Sequence, residues 1–298
     1  MGTVSIVPLA MLTAELPPPG LGLGPAKGRL GRLRDRVLHR VVRMAARGIQ
    51  RAYEEQRVAV GLAPNGLTFD EACFSPELVC ASGIAELEYP RLAPPEHVVF
   101  VGELTPPVPR DQPLPAWWAE MLASPTPIVH VTQGTLNVDP HDLIEPAFAA
   151  LGRQPVQLVA TTGRAGDATL PFPAPPNAHI ADLVPYAALL PRTGVMITNG
   201  GWGGVLAALV HGIPLVVAGG DIDKPEIAAR IAWAGAGINL RTGRPSPPAV
   251  LRAFRRVSSE ASFRTNAERI GASLRAHEGP REVVEHTLRL LAATPDQT

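Results

Sequence analysis

Lysine is almost missing from this sequence: Lys27 and Lys224 are the two present, and the other 25 of its 27 basic residues are arginines. Cysteine is as scarce. Cys73 and Cys80, with six residues between them, match neither a zinc ligand set nor a CxxC redox pair, and two cysteines make no disulfide framework; both are expected to be reduced packing residues. An excess of one charge is missing too. Lys+Arg and Asp+Glu both number 27, and that balance excludes a global polyanion-binding surface, so no nucleic-acid partner is expected. No run approaches the ~20 apolar residues of a membrane span. The apolar stretch Val4–Leu12 has no basic segment before it and is followed by Glu15, so it does not read as a signal peptide, and a cytoplasmic chain is expected. There is no Gly-Lys-Ser/Thr phosphate loop, no GxGxxG and no internal repeat. Asp221 and Asp223 alone do not make a metal site, so neither metal nor cofactor is expected.

What is present is a large apolar fraction, 46% of 298 residues, enough for a sizeable core and too much for wholesale disorder. The 33 prolines, with the alanines, glycines and arginines, point to a GC-rich coding bias. That bias weakens arguments from proline or arginine counts and makes a lone lysine in a loop more conspicuous.

Prolines at 105–109 and 113–115 lack amide donors and fix φ, which marks a stiff boundary. The organisation expected is a first part over 1–110, a linker over 111–126 and a second part over 127–298. From Pro127 onward, short apolar runs alternate with ten-residue helical patterns. Strands are expected at 127–133, 156–160, 194–198, 213–218 and 237–240, and helices at 142–151, 202–211, 225–234, 247–258, 262–276 and 280–292. Such alternation means βαβ units and a parallel sheet covered on both faces, an α/β fold, with chemistry in the loops after Thr132, Thr198 and Ala218. The first part is thinner. One long helix is expected over 27–57, with Leu30, Leu33, Val37, Val41, Met44 and Ile49 on one stripe, ten basic residues and three acidic ones. Around it lie strand candidates at 3–7, 78–80 and 98–101, too little for an independent α/β domain.

The most specific segment is Thr198-Asn-Gly-Gly-Trp-Gly-Gly-Val205, where a strand ends, four glycines (Gly200, Gly201, Gly203, Gly204) form a turn and a helix begins. Missing Cβ atoms let a ligand approach the backbone, and the helix start offers unpaired amides to a diphosphate. Val131-Thr-Gln-Gly-Thr135, also at a strand end, offers the Thr132 and Thr135 hydroxyls and the Gly134 amide to the same phosphate, or is a plain turn. Gly219-Gly-Asp-Ile-Asp-Lys-Pro225 puts Asp223 and Lys224 at a helix start, suited to sugar hydroxyls; Asp223 as N-cap with Pro225 in the first turn is the local alternative. A lysine is electrostatically unfavourable at that end of a helix, which favours a ligand role.

Asn199-Gly-Gly-Trp-Gly-Gly, then His211-Gly-Ile-Pro214, then Asp223-Lys224 resembles the donor-binding signature of GT-B glycosyltransferases, in the UDP-glycosyltransferase-like family 1 that includes bacterial enzymes decorating macrolides, glycopeptides and glycolipids. Pro176 to Pro185 resembles the family's segment framing the nucleotide base, which brings in Val184 and Pro185, and 131–135 resembles its first phosphate loop. The likeness covers 127–292 well and 1–110 loosely, around Tyr89-Pro-Arg91 and 99–102. It implies a GT-B fold with a complete Rossmann-like C-terminal domain and a shortened N-terminal acceptor domain. It also implies transfer of a hexose from a UDP- or dTDP-sugar to a hydroxyl of a small-molecule or lipid acceptor.

The departures matter. Asn199 stands where the family has a phosphate-contacting histidine, Lys224 where it has glutamine, and Ala207 where an acidic residue holds the ribose, which makes a dTDP-sugar a candidate donor. No histidine in this chain matches the family's catalytic base, so the catalytic residue is unassigned. The readings that stay open are a transferase, a non-catalytic nucleotide-sugar-binding relative acting with a partner chain, and an epimerase. For the Arg-rich helix they are a solvated face and a contact with anionic membrane. Self-association through exposed apolar surface is a further expectation.

Overall fold

The computed structural model describes residues 2–91, 95–104, 113–137 and 139–293. The proline stretch at 105–112, taken as a boundary from its composition, lies outside them. Two parallel sheets organise the chain. The first has the order β1 (Gly2–Ser5), β2 (Leu78–Ala81), β3 (Val98–Phe100), with β1 pairing Val4 to Cys80 and β2 pairing Cys80 to Val99. Between β1 and β2 run α1 (Gly28–Ala45), α2 (Arg47–Ala59) and the short α3 (Phe69–Ala72), the last opened by a capping box of Thr68 and Glu71.

The expected single helix over 27–57 is therefore two, interrupted at Ala46, whose ψ of −4° departs from the helical value beside the poor helix former Gly48. The apolar stripe faces solvent. Leu30, Leu33, Val37, Val41, Met44 and Ile49 are all exposed, and Asp35 is the buried residue of α1. The first sheet is covered by other chains of residues: Leu9, Met11 and Phe74 on one face, and Val283 and Leu290 on the other.

The segment expected as a linker carries α4 (Trp118–Ala123). Trp118 and Met121 pack on Ile128, Val159, Val184 and Leu189, because two adjacent tryptophans bury more apolar area than a linker leaves exposed. The second sheet follows: β4 (Ile128–Thr132), α5 (Ile144–Leu151), β5 (Gln157–Thr161), β6 (Ala178–Ala181), α6 (Tyr186–Leu189), β7 (Thr193–Thr198), α7 (Trp202–Val210), β8 (Leu215–Val217), α8 (Lys224–Trp233) and β9 (Gly237–Asn239). Helices α9 (Pro247–Ser259), α10 (Ala261–Arg275) and α11 (Gly279–Ala293) close the chain. Strand order is β6-β5-β4-β7-β8-β9, all parallel.

Its core has two layers. Val129, Val131, Phe148, Leu158, Ile197, Val216, Val250 and Phe254 pack one face; Met196, Val205, Leu206, Leu215, Ile227 and Ile270 pack the other. Ile84 and Leu87, from the first part, belong to that second layer, so the two parts share a core. The last helix also crosses the expected boundary: α11 packs on β2 rather than on the second sheet. The strand order reverses between β4 and β7. That switch point opens a crevice at their carboxyl ends, and Thr132 pairs with Thr198 in register there.

Candidate functional site, a cleft at the switch point

The two strands that flank the crevice end in the same local device. The Thr132 hydroxyl accepts the Gly134 N–H at 3.3 Å, and the Thr198 hydroxyl accepts the Gly200 N–H at 3.1 Å, so each strand turns through a threonine–glycine pair two residues apart. Both glycines have positive φ, +70° and +93°, and a Cβ on Gly200 would meet Val217 Cγ1 at 2.9 Å. A third glycine closes the turn from β5: a Cβ on Gly163 would land on the Gly134 carbonyl oxygen.

Asn199 joins the two turns. Its side-chain amide donates to the Gln133 carbonyl and its side-chain oxygen accepts the Gly201 N–H at 3.3 Å. Gln133 in turn accepts the Ile144 N–H at 3.1 Å and donates to the Asp139 carbonyl at 2.6 Å, which anchors the first turn to the start of α5. Asn199 is thus first a tie between loops, and a role toward a ligand falls to its remaining N–H.

Helix α7 opens on this cleft. Gly201 caps it without a side chain, and Val205 is the residue whose N–H bonds back to Gly201, at 3.0 Å. The amides of Trp202, Gly203 and Gly204 precede that bond, so they present partial positive charge to the space in front of them. Trp202 itself turns away, its indole N–H donating to Ser82 Oγ at 2.9 Å and its ring lying against Gly83, which seats the first part on the floor of the cleft.

The third loop brings Asp223 and Lys224. Asp223 stands at the N-cap position of α8 but makes no side-chain capping bond, its backbone being already helical (φ −91°, ψ −14°); the expected cap is corrected there. The Lys224 ammonium is buried and pairs with Asp221 at 3.0 Å, an aspartate that is itself exposed. Ile222 between them has φ +54°, a left-handed conformation that a β-branched residue rarely holds, so the loop is strained beside the site.

These elements enclose a cleft of about 640 Å³. Of the residues expected from sequence, it is lined by Thr132, Gly134, Thr135, Val184, Asn199, Gly201, Gly203, Gly204, Asp223 and Lys224. Pro185 and Gly200 are not in the lining: Pro185 starts α6, and Gly200 is fixed by packing on Val217. Sequence reasoning missed Gln133, Thr161, Gly163, Tyr186 and the apolar pair Ile6–Val7 contributed by the first part. One signal was there to be read: Thr161-Thr-Gly163 repeats the threonine–glycine spacing of 132–134 and 198–200. A smaller cavity of about 310 Å³, lined by Asp142, Asp221, Thr242 and Arg244, adjoins the cleft through Asn199 and Lys224. A larger one, about 710 Å³, lies under α1 and α2; it carries arginines but none of these turns.

The titratable groups lining the cleft among the described residues are Asp223, Lys224 and Tyr186. Burial pushes the Tyr186 phenol up to about 12, so it remains a hydrogen-bond donor at neutral pH. No histidine is in the lining. His130 is a buried residue of β4, His141 pairs with Glu145, His179 with Gln157 and His277 with Glu282. Among the described residues no three potential metal ligands cluster.

Comparison with known proteins agrees with this geometry. Residues 150–290 match the family model described as Erythromycin biosynthesis protein CIII-like, C-terminal domain. The 4'-demethylrebeccamycin synthase of Lentzea aerocolonigenes is 41% identical over 270 residues, 90% of this chain and 63% of that protein. The chain belongs to the family 1 GT-B glycosyltransferases. UDP-glycosyltransferase 2 of Phaeomoniella chlamydospora is 30% identical over 299 residues, 98% of this chain and 66% of that protein. Among solved structures, the spinosyn rhamnosyltransferase SpnG complexed with thymidine diphosphate superposes with a TM-score of 0.59 at 26% identity, over 72% of this chain and 57% of that one. The chain therefore spans 63% and 66% of the length of these two relatives.

Proposed function

We propose that the cleft binds a nucleoside-diphosphate sugar and that the chain is a glycosyltransferase, passing a hexose to a hydroxyl of a small-molecule or lipid acceptor. The observation that carries this reading is the convergence of two threonine–glycine turns and the N-terminus of α7 on one point, at the carboxyl ends of β4 and β7. A diphosphate there receives hydrogen bonds from the amides of Trp202, Gly203 and Gly204, which strengthen as negative charge develops on the leaving oxygen. Lys224 is the cation of the described lining, and it and Asp223 are placed to hold the sugar hydroxyls. Val184 lines the cleft and lies in the segment whose resemblance assigns it to the base. The amides and Lys224 meet the leaving-group charge, so the reading calls for no metal and no organic cofactor. Names of relatives support it: a rebeccamycin synthase by sequence, and a rhamnosyltransferase carrying thymidine diphosphate by structure.

Transfer requires a base for the acceptor hydroxyl, and no histidine lines the cleft. That observation favours one second reading, a non-catalytic nucleotide-sugar-binding relative that acts beside a partner chain. Titration calorimetry with UDP and with dTDP tests the site common to both readings. Binding is expected to weaken at least about tenfold in an Asn199→Ala, Lys224→Ala double variant, from loss of the loop tie and of a charged contact. No binding of either nucleotide by folded protein overturns the site. Ala207 is buried in the core rather than in the cleft lining, and the carboxylate of the described lining, Asp223, is the one this reading gives to the sugar. dTDP is therefore expected to bind more tightly than UDP, and equal or tighter UDP binding removes that preference.

The location proposed is the cytoplasm; no described helix is long and apolar enough to cross a membrane. The exposed stripe of α1, flanked by Arg36, Arg40 and Arg43, supports contact with an anionic lipid surface near a lipid acceptor. Co-sedimentation with phosphatidylserine vesicles is expected and should be lost on charge reversal of those three arginines. Co-sedimentation that survives the reversal overturns it, and self-association through the same stripe is then read by sedimentation velocity.

A further inference from the structure

Two turns past its cleft end, α8 carries a buried charged cluster that the donor site does not use. The Arg230 side chain is 3% exposed. Its Nη2 donates to Glu88 Oε2 at 2.9 Å and to the Leu9 carbonyl at 3.2 Å, its Nε to the same Glu88 oxygen at 3.2 Å, and its Nη1 to Glu226 Oε1. The guanidinium lies 4.8 Å from the centre of the Tyr89 ring, which meets Trp233 edge-on. Each carboxylate then uses its second oxygen on backbone of the first part. Glu88 Oε1 accepts the Leu9 N–H at 3.1 Å, and Glu226 Oε2 accepts the N–H groups of Gly20 and Gly22 at 3.2 and 3.0 Å. Gly22 is also pressed on α8: a Cβ there would meet the Pro225 carbonyl at 2.8 Å.

The cluster thus grips the loop after β1 at three points of main chain. The first grip, at Leu9, comes two residues after Val7, and Ile6 and Val7 are the part of the cleft lining that this loop supplies. The N-terminal end of the same helix supplies Asp223, at its cap, and Lys224 to the lining. Burying an arginine between two glutamates is a poor way to gain stability, since well-packed apolar residues of similar volume often do as well or better; its consequence is a fixed geometry.

We propose that Arg230, through Glu88 and Glu226, is a positioning residue that sets the Ile6–Val7 wall of the cleft relative to the donor end of α8. The proposal rests on the reading of the cleft as the transfer site, while its contacts can be tested without a nucleotide. Hydrogen–deuterium exchange of the full chain reads them in segments 9–16 and 17–24. Glu226→Gln is expected to speed exchange at Gly20 and Gly22 about tenfold and leave Leu9 near wild type; Glu88→Gln is expected to do the reverse. Arg230→Met speeds both segments, and Arg230→Lys, which keeps the charge but cannot span both glutamates and the Leu9 carbonyl, recovers only part. A cluster that merely adds stability would speed all segments together, β4 to β8 included. That outcome, or wild-type exchange at Leu9, Gly20 and Gly22 in the two glutamine variants, overturns the proposal. Calorimetry with dTDP separates the two claims. A weaker dTDP affinity in Glu88→Gln, with faster exchange at Leu9, is the expected pair, and an unchanged affinity beside that faster exchange overturns the claim that the cluster sets the cleft. Failure of wild type to bind dTDP, with the exchange pattern intact, sinks the donor reading and leaves the positioning contacts standing.

Discussion

Helices α7 and α1 invert what their sequences suggest. Helix α7 is apolar almost all round, with little sidedness to read, and buries Trp202, Val205, Leu206, Ala207, Ala208 and Leu209. Helix α1 has the cleaner amphipathic pattern, twice the length and an apolar stripe, yet Asp35 is its buried residue and five stripe residues stand in solvent. The difference comes from what lies opposite. Helix α7 follows a strand in a six-stranded parallel sheet, where βαβ geometry presses each helix onto the sheet and α10 covers the outer side. Helix α1 follows a strand of a three-stranded sheet whose faces are already filled by Leu9, Met11 and Phe74 and by α11. Periodicity shows that a helix has an apolar face; it does not supply the partner.

This contrast makes its largest prediction in the core. Leu206, fully buried between α7 and the sheet, has no mobile surface to collapse into the space it leaves. Leu206→Ala is expected to cost about 2–5 kcal/mol in urea denaturation, the range of lost transfer energy plus a cavity. A loss below about 1 kcal/mol would mean that the second part is far looser than its packing shows.

A second prediction of similar size also lives in that part. The His130 ring lies under β5 with its Nδ1 2.9 Å from the Val159 carbonyl, so Nδ1 carries the hydrogen and Nε2 is left buried without a partner. Burial lowers its pKa to about 4. In the unfolded chain the ring takes up its proton near pH 6.5, while the folded chain resists doing so until about pH 4. Its contribution is therefore complete above pH 6.5 and is lost progressively as the pH falls toward 4. At full size this amounts to about 3 kcal/mol. The pH dependence of the urea midpoint between pH 4 and 6.5 should flatten in His130→Phe. A wild-type slope retained in that variant would show that other groups carry it.

How much of this was legible beforehand follows the same division. Five of the six strands of the second sheet were readable because a parallel sheet buried on both faces leaves plain apolar runs, and the loops were readable because glycines and threonines cluster at strand ends; the edge strand β6, half-buried and carrying His179, was missed. The residues that escaped depend on tertiary placement. Tyr186 enters the cleft from α6, Ile6 and Val7 come from a strand end of the other sheet, and Gln133, inside the first turn itself, shows its role only through its bonds to Asn199 and α5. Asn199 was read as a ligand contact because of where it stands in the motif; that it also ties Gln133 to Gly201, leaving one N–H for a ligand, is a use that only the closeness of two loops reveals. Helix α4 was hidden in a proline-rich stretch, where the adjacent tryptophans were the signal. The docking of α11 on β2 spans some two hundred residues of sequence, and no local pattern marks it.

The smallest effect expected belongs to α1, and it is the sharpest test of the contrast. Leu33 and Val41 are half exposed or more and lie in none of the buried clusters. Exposed side chains outside caps and networks change stability by no more than about 0.5 kcal/mol when replaced. Leu33→Ser and Val41→Ser are expected to fall within that range each, and to add when combined, since no shared partner couples them. Serine is only slightly poorer than leucine as a helix former, so propensity adds a few tenths of a kcal/mol at most. The measurement has a second use. At high protein concentration, a double variant that is markedly less stable than wild type, with a difference that disappears on dilution, would show that the stripe packs against another copy of the chain, because only an association responds to dilution in that way. A concentration-independent difference within the stated range would instead leave α1 as the structure has it, an apolar face turned to water, in contrast to the buried α7.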